Sequence, residues 1–572
     1  MQLSQTFIGL LLLLFTGLSC NSQNLSQDKE RSERLNRPNI LLIVSDDQGY
    51  GDFGSFGNKI LKTPNLDQLH KESTYFSEFL VSPVCTPTRA SLMTGRYNYR
   101  TGAWDTWKGR INMHTDEVTI AEALKKEGYN TGLFGKWHLG YNYPMRPLDQ
   151  GFDYVIRHEQ YVKPDSNRVD PIMVVNGKLE QRRGFMEDII FDEAIHWIER
   201  QSREHSPFFA LVTSYMPHTF SNDLPQVPEK YVEDYKDNPF LAQHTKEVYG
   251  MLANLDQNVG RLMGTLDKLN INKNSVVIYL SDNGPQRSGP HGTGAQDRYN
   301  LGLRGGKGSI YDGGIKVPAF FRWPGHFQPG RKIETWGAHI DIFPTILDIA
   351  DVPQPDSIKI DGRSLLPLLE NRNIFWQERT FYNQWPRGEV PKMWMNSTVR
   401  EDTFKLVNGK ELYNIQNDPH EHFNIADRHP DVVKRMRSSY KQWFNEVSSG
   451  RGFTTSPTII GSPKQRRITL LFWNRGADGW PVHIVDEGPY DITVENVQYE
   501  LFPKGAELVL QFGDTTFRKP IKQGEEEITF KNIHLPEGEM NYTMWTEGEK
   551  IYREANWGLE DLGYRNVIIE LQ

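Results

Sequence analysis

Four short runs of almost unbroken apolar residues, each ending in residues that carry chemistry, constrain this chain more than any other feature. "NILLIVSDDQG", from Asn39, ends in Asp46 and Asp47, and "YNTGLFGKWHLG" delivers Lys136 and His138. "PFFALVTSYMPHT" delivers His218, and "SVVIYLSDNG" delivers Asp282 and Asn283. A strand with one face in water alternates apolar and polar residues. A strand that is apolar at nearly every position is buried on both faces, as in a parallel sheet covered by helices. Helical patterns lie between these runs. "TIAEALKKEG" places Thr119 and Glu122 at capping-box spacing with Gly128 as a stop. Val248, Met251, Leu252, Leu255, Val259, Leu262, Met263 and Leu266 follow a helical period. The expected fold class is therefore α/β, a sandwich around a central, mostly parallel sheet. Such sheets bind ligands beyond the carboxyl ends of their strands, so the terminal residues of the four runs are expected to converge on one edge.

At 572 residues the chain is too long for one simple core. An α/β domain is expected over 37–374. From about Phe375 the runs "TFYNQW", "NSTVR", "TFKLVN" and "ELYNI", with an amphipathic helix near Asp431 to Val447, suggest a small antiparallel sheet plus helix over 375–450. A Ser-, Gly- and Pro-rich stretch reads as a linker over 451–466. Beyond it, 467–572 carries many short strand-like runs with turn punctuation, as a β-sandwich does.

Residues 1–20 read as a secretory signal peptide, because the apolar run from Phe7 to Phe15 is too short to span a bilayer. "GLSC" is similar to a bacterial lipoprotein cleavage box and makes Cys20 a candidate for lipidation. A polar linker over 21–36 then reads as a tether. The expectation is an exported, periplasmic protein; lipidation of Cys20, which would anchor it to the outer membrane or cell surface, is left open and is the one membrane link considered. The net charge of −8 argues against binding nucleic acid or anionic membranes through the overall field. An anion must be recognised by a local basic cluster.

The chain has two cysteines, Cys20 and Cys85. With Cys20 removed or acylated, Cys85 has no partner, and its neighbours Thr86, Pro87, Thr88 and Arg89 do not form an apolar segment. Chemistry explains this cysteine better than packing does. Arg89 follows Cys85 by four residues, one turn if a helix begins near Thr86, and Pro87 suits a first helical turn. Asp46, Asp47, Asp282 and Asn283 are all oxygen donors, a set that suits calcium, magnesium less well, and argues against zinc. Lys136, His138, His218 and Lys307 add cationic character. A cation, two lysines and an arginine around a nucleophile describe a site for a small tetrahedral oxyanion ester.

The motif "CTPTR", followed by "TGR", fits a C-x-P-x-R pattern. With "PNILLIVSDDQGYGD", "GYNTGLFGKWHLG", "SDNGP", "LRGGKGSIYDGGIKVPAFFRWPG" and "ELYNIQNDPHEHFNIA", it resembles the type I, formylglycine-dependent sulfatases of the alkaline phosphatase superfamily, in order from about Pro38 to Asp427. Thr88 stands where serine is more usual. The resemblance implies an alkaline-phosphatase-like fold. It also implies oxidation of Cys85 to formylglycine (3-oxoalanine) by a maturase, and one calcium held by Asp46, Asp47, Asp282, Asn283 and the modified Cys85. It further implies catalytic roles for Cys85, Arg89, Lys136, His138, His218 and Lys307. Lys136 and Lys307 would hold sulfate oxygens, His218 would protonate the leaving alcohol, and His138 would deprotonate the second hydroxyl of the hydrated aldehyde.

The leader and the added β domain look like those of polysaccharide-degrading bacterial sulfatases. The expected substrate is a sulfated carbohydrate such as an algal galactan, ulvan or a glycosaminoglycan. Trp104, Trp107 and Arg110 are candidates to stack on or pair with a sugar, and Trp473, Trp480, Trp545 and Trp557 are candidates for a glycan platform or sandwich core. The competing readings are a formylglycine-dependent phosphonate or phosphate ester hydrolase on the same scaffold, and a non-catalytic glycan-binding surface protein.

Overall fold

In a computed structural model of the chain, residues 37–107, 109–158, 168–219, 227–287, 298–388, 390–471, 479–495, 505–547 and 566–572 are described. The leader, the tether and Cys20 lie outside them, as do Trp473 and Trp557. No described helix is long and apolar enough to cross a membrane.

The four apolar runs form strands β1 (Asn39–Ser45), β3 (Asn130–Gly135), β7 (Phe208–Thr213) and β8 (Ser275–Ser281). They are neighbours in the order β8-β1-β7-β3, and every pairing among them is parallel. The sheet is extended on one side by β4 (Tyr154–His158), β5 (Ile172–Val175) and β6 (Lys178–Gln181). On the other side come β9 (Lys316–Arg322), antiparallel to β8, then β2 (Thr74–Leu80) and the short β10 (Lys332–Ile333) and β11 (Gly337–Ala338).

Burial on both faces explains the unbroken apolar runs. In β1, Ile40, Leu42 and Val44 enter one core with Leu92, Leu124 and Phe343. Leu41 and Ile43 enter the opposite core with Phe191, Leu252 and Leu262. Each is fully enclosed, so truncating Leu42 to alanine would cost about 2–5 kcal/mol. Helices α1 (Cys85–Thr94) and α2 (Ile120–Lys126) cover the first face, and α3 (Met186–Glu204) and α4 (Gln243–Lys268) the second. The capping box at Thr119 and Glu122 is present, with hydrogen bonds of 3.1 and 2.9 Å.

The four later runs form β12 (Thr380–Gln384), β13 (Ser397–Glu401), β14 (Phe404–Val407) and β15 (Glu411–Asn414), an antiparallel meander in sequence order. Helix α5 (Pro430–Ser448) buries Val433, Met436, Tyr440, Trp443 and Val447 in the core it shares with that sheet. Beyond lie a five-stranded and a four-stranded sheet, with a common core that includes Trp480, Ile492, Leu510 and Tyr542.

The linker reading over 451–466 needs correction. Thr458–Ile460 forms an edge strand paired in parallel with Trp480–Ile484. Arg451 bonds Glu117 at 2.8 Å, and Phe453 packs edge-on against Tyr99 and Trp104. The segment is docked on the α/β layer.

Candidate active site

Because β1 and β8 pair in register, Ser45 opposite Ser281, the residues that follow them meet at one sheet edge. The amide of Asp47 donates to Asp282 Oδ1 at 3.2 Å, and Asn283 Nδ2 donates to Asp47 Oδ1 at 2.7 Å. Asp47 takes a left-handed φ of 68°, as does His138 at 63°. Two non-glycine residues in that region at one site is the strain that functional centres tend to hold.

Cys85 is the first residue of α1, one position before the start expected at Thr86, and every residue of that helix is buried. The side chain of Thr88 accepts from the amide of Ser82 at 3.0 Å and fixes the turn that presents the cysteine. Arg89, one turn on, lies on the same face. Its Nε and Nη2 donate to Asp282 Oδ2 at 3.0 and 2.7 Å, and its Nη1 donates to the carbonyl of Lys136 at 3.0 Å. The Cys85 Sγ lies 3.3 Å from His138 Nδ1 and occupies the place that the hydroxyl oxygens of a modified residue would take.

Two lysines complete the cluster. Lys136 Nζ donates to Asp46 Oδ2 at 2.6 Å, and Lys307 Nζ donates to Asp47 Oδ2 at 2.8 Å. His218 belongs to the same field, because Lys307, Asp46 and Lys136 all act on it. Its carbonyl accepts from Arg168 Nη2.

Burial would raise the Asp46 carboxyl, but Lys136, His218, Arg89 and Lys307 outweigh it and hold the group well below the usual carboxylate range. Asp282 goes the other way. Burial and then the Asp46 charge push it up, Arg89 only partly offsetting them. Burial holds both histidines well below their ordinary value, aided by Lys136 and Arg89 at His138 and by Lys307 at His218. That direction favours the unprotonated imidazole, the form that accepts a proton.

The donor set fits a hard cation. Asp46 Oδ1 and Asn283 Oδ1 are fully buried and have no hydrogen-bond partner among the described residues. Oxygens left so at the end of a core strand are costly unless a ligand satisfies them. Donor atoms of Asp46, Cys85 and Asp282 lie within 4.8 Å of one another. Oxygen donors dominate, as calcium and magnesium prefer.

All of the expected catalytic and metal-binding residues are thus brought together. The expected sugar-binding residues are not. Trp104 is 1% exposed and packs edge-on against Phe453, so it cannot stack on a ligand. Arg110 is buried with its guanidinium 4.3 Å from the centre of the Trp104 ring. Trp107 alone of the three is half-buried. Trp480 is sandwich core against Tyr542, whereas Trp545 is half-buried.

Residues that sequence reading missed support the site from behind. Arg298, 1% exposed, donates to both carboxylate oxygens of Asp52 at 2.9 and 2.6 Å and to the Asp47 carbonyl at 2.8 Å. Asp105 accepts from Trp385 Nε1 at 2.9 Å and from the Gly388 amide at 2.6 Å. Lys405 forms a buried triad with Asp312 and Glu421.

Residues 38–352 match the family model described as Sulfatase, and 306–446 match N-sulphoglucosamine sulphohydrolase, C-terminal. The N-acetylgalactosamine-6-sulfatase of Sus scrofa is 32% identical over 372 residues, 59% of this chain and 68% of that one. The steryl-sulfatase of Homo sapiens is 29% identical over 416 residues, 60% of this chain and 71% of that one. The crystal structure of Ps i-CgsB in complex with k-i-k-neocarrahexaose is similar with a TM-score of 0.64 and 26% identity, covering 71% of this chain and 92% of that one. The non-catalytic reading falls with these matches: the chain belongs to the sulfatase family and is a sulfuric ester hydrolase.

Proposed function

We propose that this enzyme removes sulfate from a sulfated carbohydrate by way of a formylglycine derived from Cys85. One observation carries the reading: Cys85, on the buried N-terminus of α1, shares one sheet edge with three carboxylates, Arg89, two lysines and two histidines. The carbohydrate part is supported by a relative named for N-acetylgalactosamine 6-sulfate and by a structural neighbour solved with a carrageenan-type oligosaccharide.

Asp46, Asp47, Asp282 and Asn283 would hold a calcium ion, with a hydroxyl of the hydrated aldehyde beside it. When bound, the ion supplies Lewis-acid polarisation of a sulfate oxygen and of that hydroxyl. Lys136 and Lys307 would orient the sulfate oxygens and offset the negative charge that builds in the transition state. Arg89, fixed by Asp282, would stabilise the ionised hydroxyl that attacks sulfur as the S–O bond to the alcohol breaks. His218, unprotonated at rest, would take up the proton released when that hydroxyl ionises and deliver it to the leaving alkoxide. His138, 3.3 Å from the Cys85 side chain, would then take the proton of the remaining hydroxyl. Collapse of that hydroxyl to the aldehyde expels hydrogen sulfate, so the balance is ester plus water to alcohol plus hydrogen sulfate. A plain serine lacks the second hydroxyl and would stay sulfated.

The proposed setting is export to the periplasm or cell surface, on the strength of the leader and "GLSC". The test is mass spectrometry of the Cys85 peptide from a host with a formylglycine-generating maturase, with desulfation measured across defined sulfated oligosaccharides. An aldehyde mass and release of sulfate from at least one saccharide are expected. An intact thiol in an active enzyme, or turnover of aryl sulfates alone, would overturn the reading.

A further inference from the structure

Beside the sulfate pocket stands an exposed arginine that the chemistry above does not use. Arg387 follows β12 in the sequence "WPRG" and takes a left-handed φ of 55°. A non-glycine residue adopts that conformation at a steric cost, and at functional sites the surroundings enforce it. Here the enforcement is visible. Buried Asp105 accepts from the indole of Trp385 on one side of Arg387 and from the amide of Gly388 on the other, at 2.9 and 2.6 Å. The guanidinium is held 5.3 Å from the centre of the Trp385 ring. Arg387 is exposed, and among the described residues its guanidinium makes no ion pair, so its five N–H donors are available to an anion.

The position of this arginine ties it to the catalytic cluster. The Trp385 ring packs directly on Gly308, where an added Cβ would come within 2.7 Å of it. Gly308 follows Lys307, and its amide donates to the carbonyl of Pro83, two residues before Cys85, at 2.8 Å. On the outer side, the half-buried Trp107 ring packs on Gly388, where an added Cβ would come within 2.6 Å. A cation over one indole, next in sequence to a glycine that carries a second indole, and one loop away from a sulfate-binding lysine, combines two recognition elements. Aromatic edges and faces suit a pyranose ring, and a planar guanidinium suits a two-oxygen anion.

We propose that Arg387, with Trp107 beside it, forms a subsite for a second anionic substituent, a carboxylate or a further sulfate ester, on the sugar that carries the scissile sulfate or on its neighbour. The subsite rests on the carbohydrate reading above and narrows it to polyanionic saccharides. Asp105 is its positioning residue, acting through Trp385 and Gly388.

The test uses the mature full-length enzyme and competitive inhibition of 4-methylumbelliferyl sulfate hydrolysis by two series of disaccharides. In the first series a 6-sulfated uronate disaccharide is compared with its carboxyl-reduced form. In the second a disulfated disaccharide is compared with its monosulfated form. Removal of the second anion is expected to weaken inhibition by tenfold or more in at least one series, which also identifies the anion. Arg387→Met is expected to bring that ratio close to one, and Arg387→Lys to leave an intermediate value. Equal inhibition within both series for the native enzyme, or a ratio that survives in Arg387→Met, would overturn the subsite and leave the carbohydrate reading standing. Absence of inhibition by every saccharide would overturn both.

Discussion

Lys405 Nζ on β14 lies 2.5 Å from Asp312 and 2.7 Å from Glu421, with all three side chains almost wholly enclosed. Glu421 also accepts the Asp312 amide at 2.7 Å, and its carbonyl accepts from Arg304 at 3.0 Å. The triad therefore pins both ends of the loop that carries Lys307 to the small antiparallel sheet. Removing one member of a buried ion group leaves the others uncompensated and costs about 3–5 kcal/mol. Lys405→Met is expected to lower the unfolding midpoint accordingly. It is also expected to raise KM for a sulfate ester more than it lowers kcat, because Lys307 loses its placement. Calorimetry and steady-state kinetics on the same sample check both.

Gly308→Ala perturbs the same loop at one point. Gly308 has a φ of 78°, and an added Cβ would meet the Trp385 ring at 2.7 Å. The left-handed conformation alone costs an alanine about 1–2 kcal/mol. A lower unfolding midpoint and a reduced kcat/KM are expected. An unchanged kcat/KM would show that this contact does not set Lys307.

Replacing Cys85 by serine separates attack from release. Serine supplies one hydroxyl, so a single equivalent of alcohol should appear in a burst with no steady state behind it, and the peptide should carry a sulfate by mass spectrometry. Continued turnover would remove the need for a second hydroxyl.

Chelation tests the cation site. EGTA treatment followed by desalting is expected to abolish turnover and to lower the unfolding midpoint, because an ion bound only by the native state stabilises it by mass action. Calcium should restore both more effectively than magnesium. Full activity in the stripped protein, confirmed metal-free by elemental analysis, would overturn the assignment.

Glu187, outside the set of catalytic and metal-binding residues, gives a pH dependence of stability. Its carboxyl is fully buried and is pushed up to about 7 by that burial, with Ser214 and the Tyr215 amide partly offsetting it. The folded state thus favours the protonated form. Its contribution is complete below the unfolded value of 4.5 and is lost as the pH rises through about 7. The loss amounts to roughly 3 kcal/mol. Denaturant unfolding at pH 5 and pH 8 is expected to show this decline, and Glu187→Gln should flatten it.

The strand ends were legible because burial on both faces writes itself into sequence as an unbroken apolar run, and the polar residue that ends the run sits at the sheet edge. Asp46, His138 and Asp282 were readable on those grounds, and the meander β12–β15 emerged from its turns. Trp104 was misread because a tryptophan in a loop has the same sequence whether its ring turns inward onto Phe453 or outward to a ligand. Thr458–Ile460 is a three-residue edge strand inside a segment of turn-forming residues, too short for periodicity to register. Lys405 and Asp312 are 93 residues apart and neither has a local partner, so no spacing announces their triad. Arg387 is likewise marked by a backbone conformation that its residue type does not reveal.

The enclosure of α1 sets a timetable for making this enzyme. Cys85 is 2% exposed, and the residues around it are locked by Ser82, Arg89 and His138. A catalyst that must grip "CTPTR" as an extended peptide cannot reach it once those contacts close. On the proposed modification, conversion of the cysteine would have to precede folding. Molecules that folded first would then keep the thiol, out of reach of a later-arriving maturase. The specific activity of a preparation would then report the race between modification and folding at its origin.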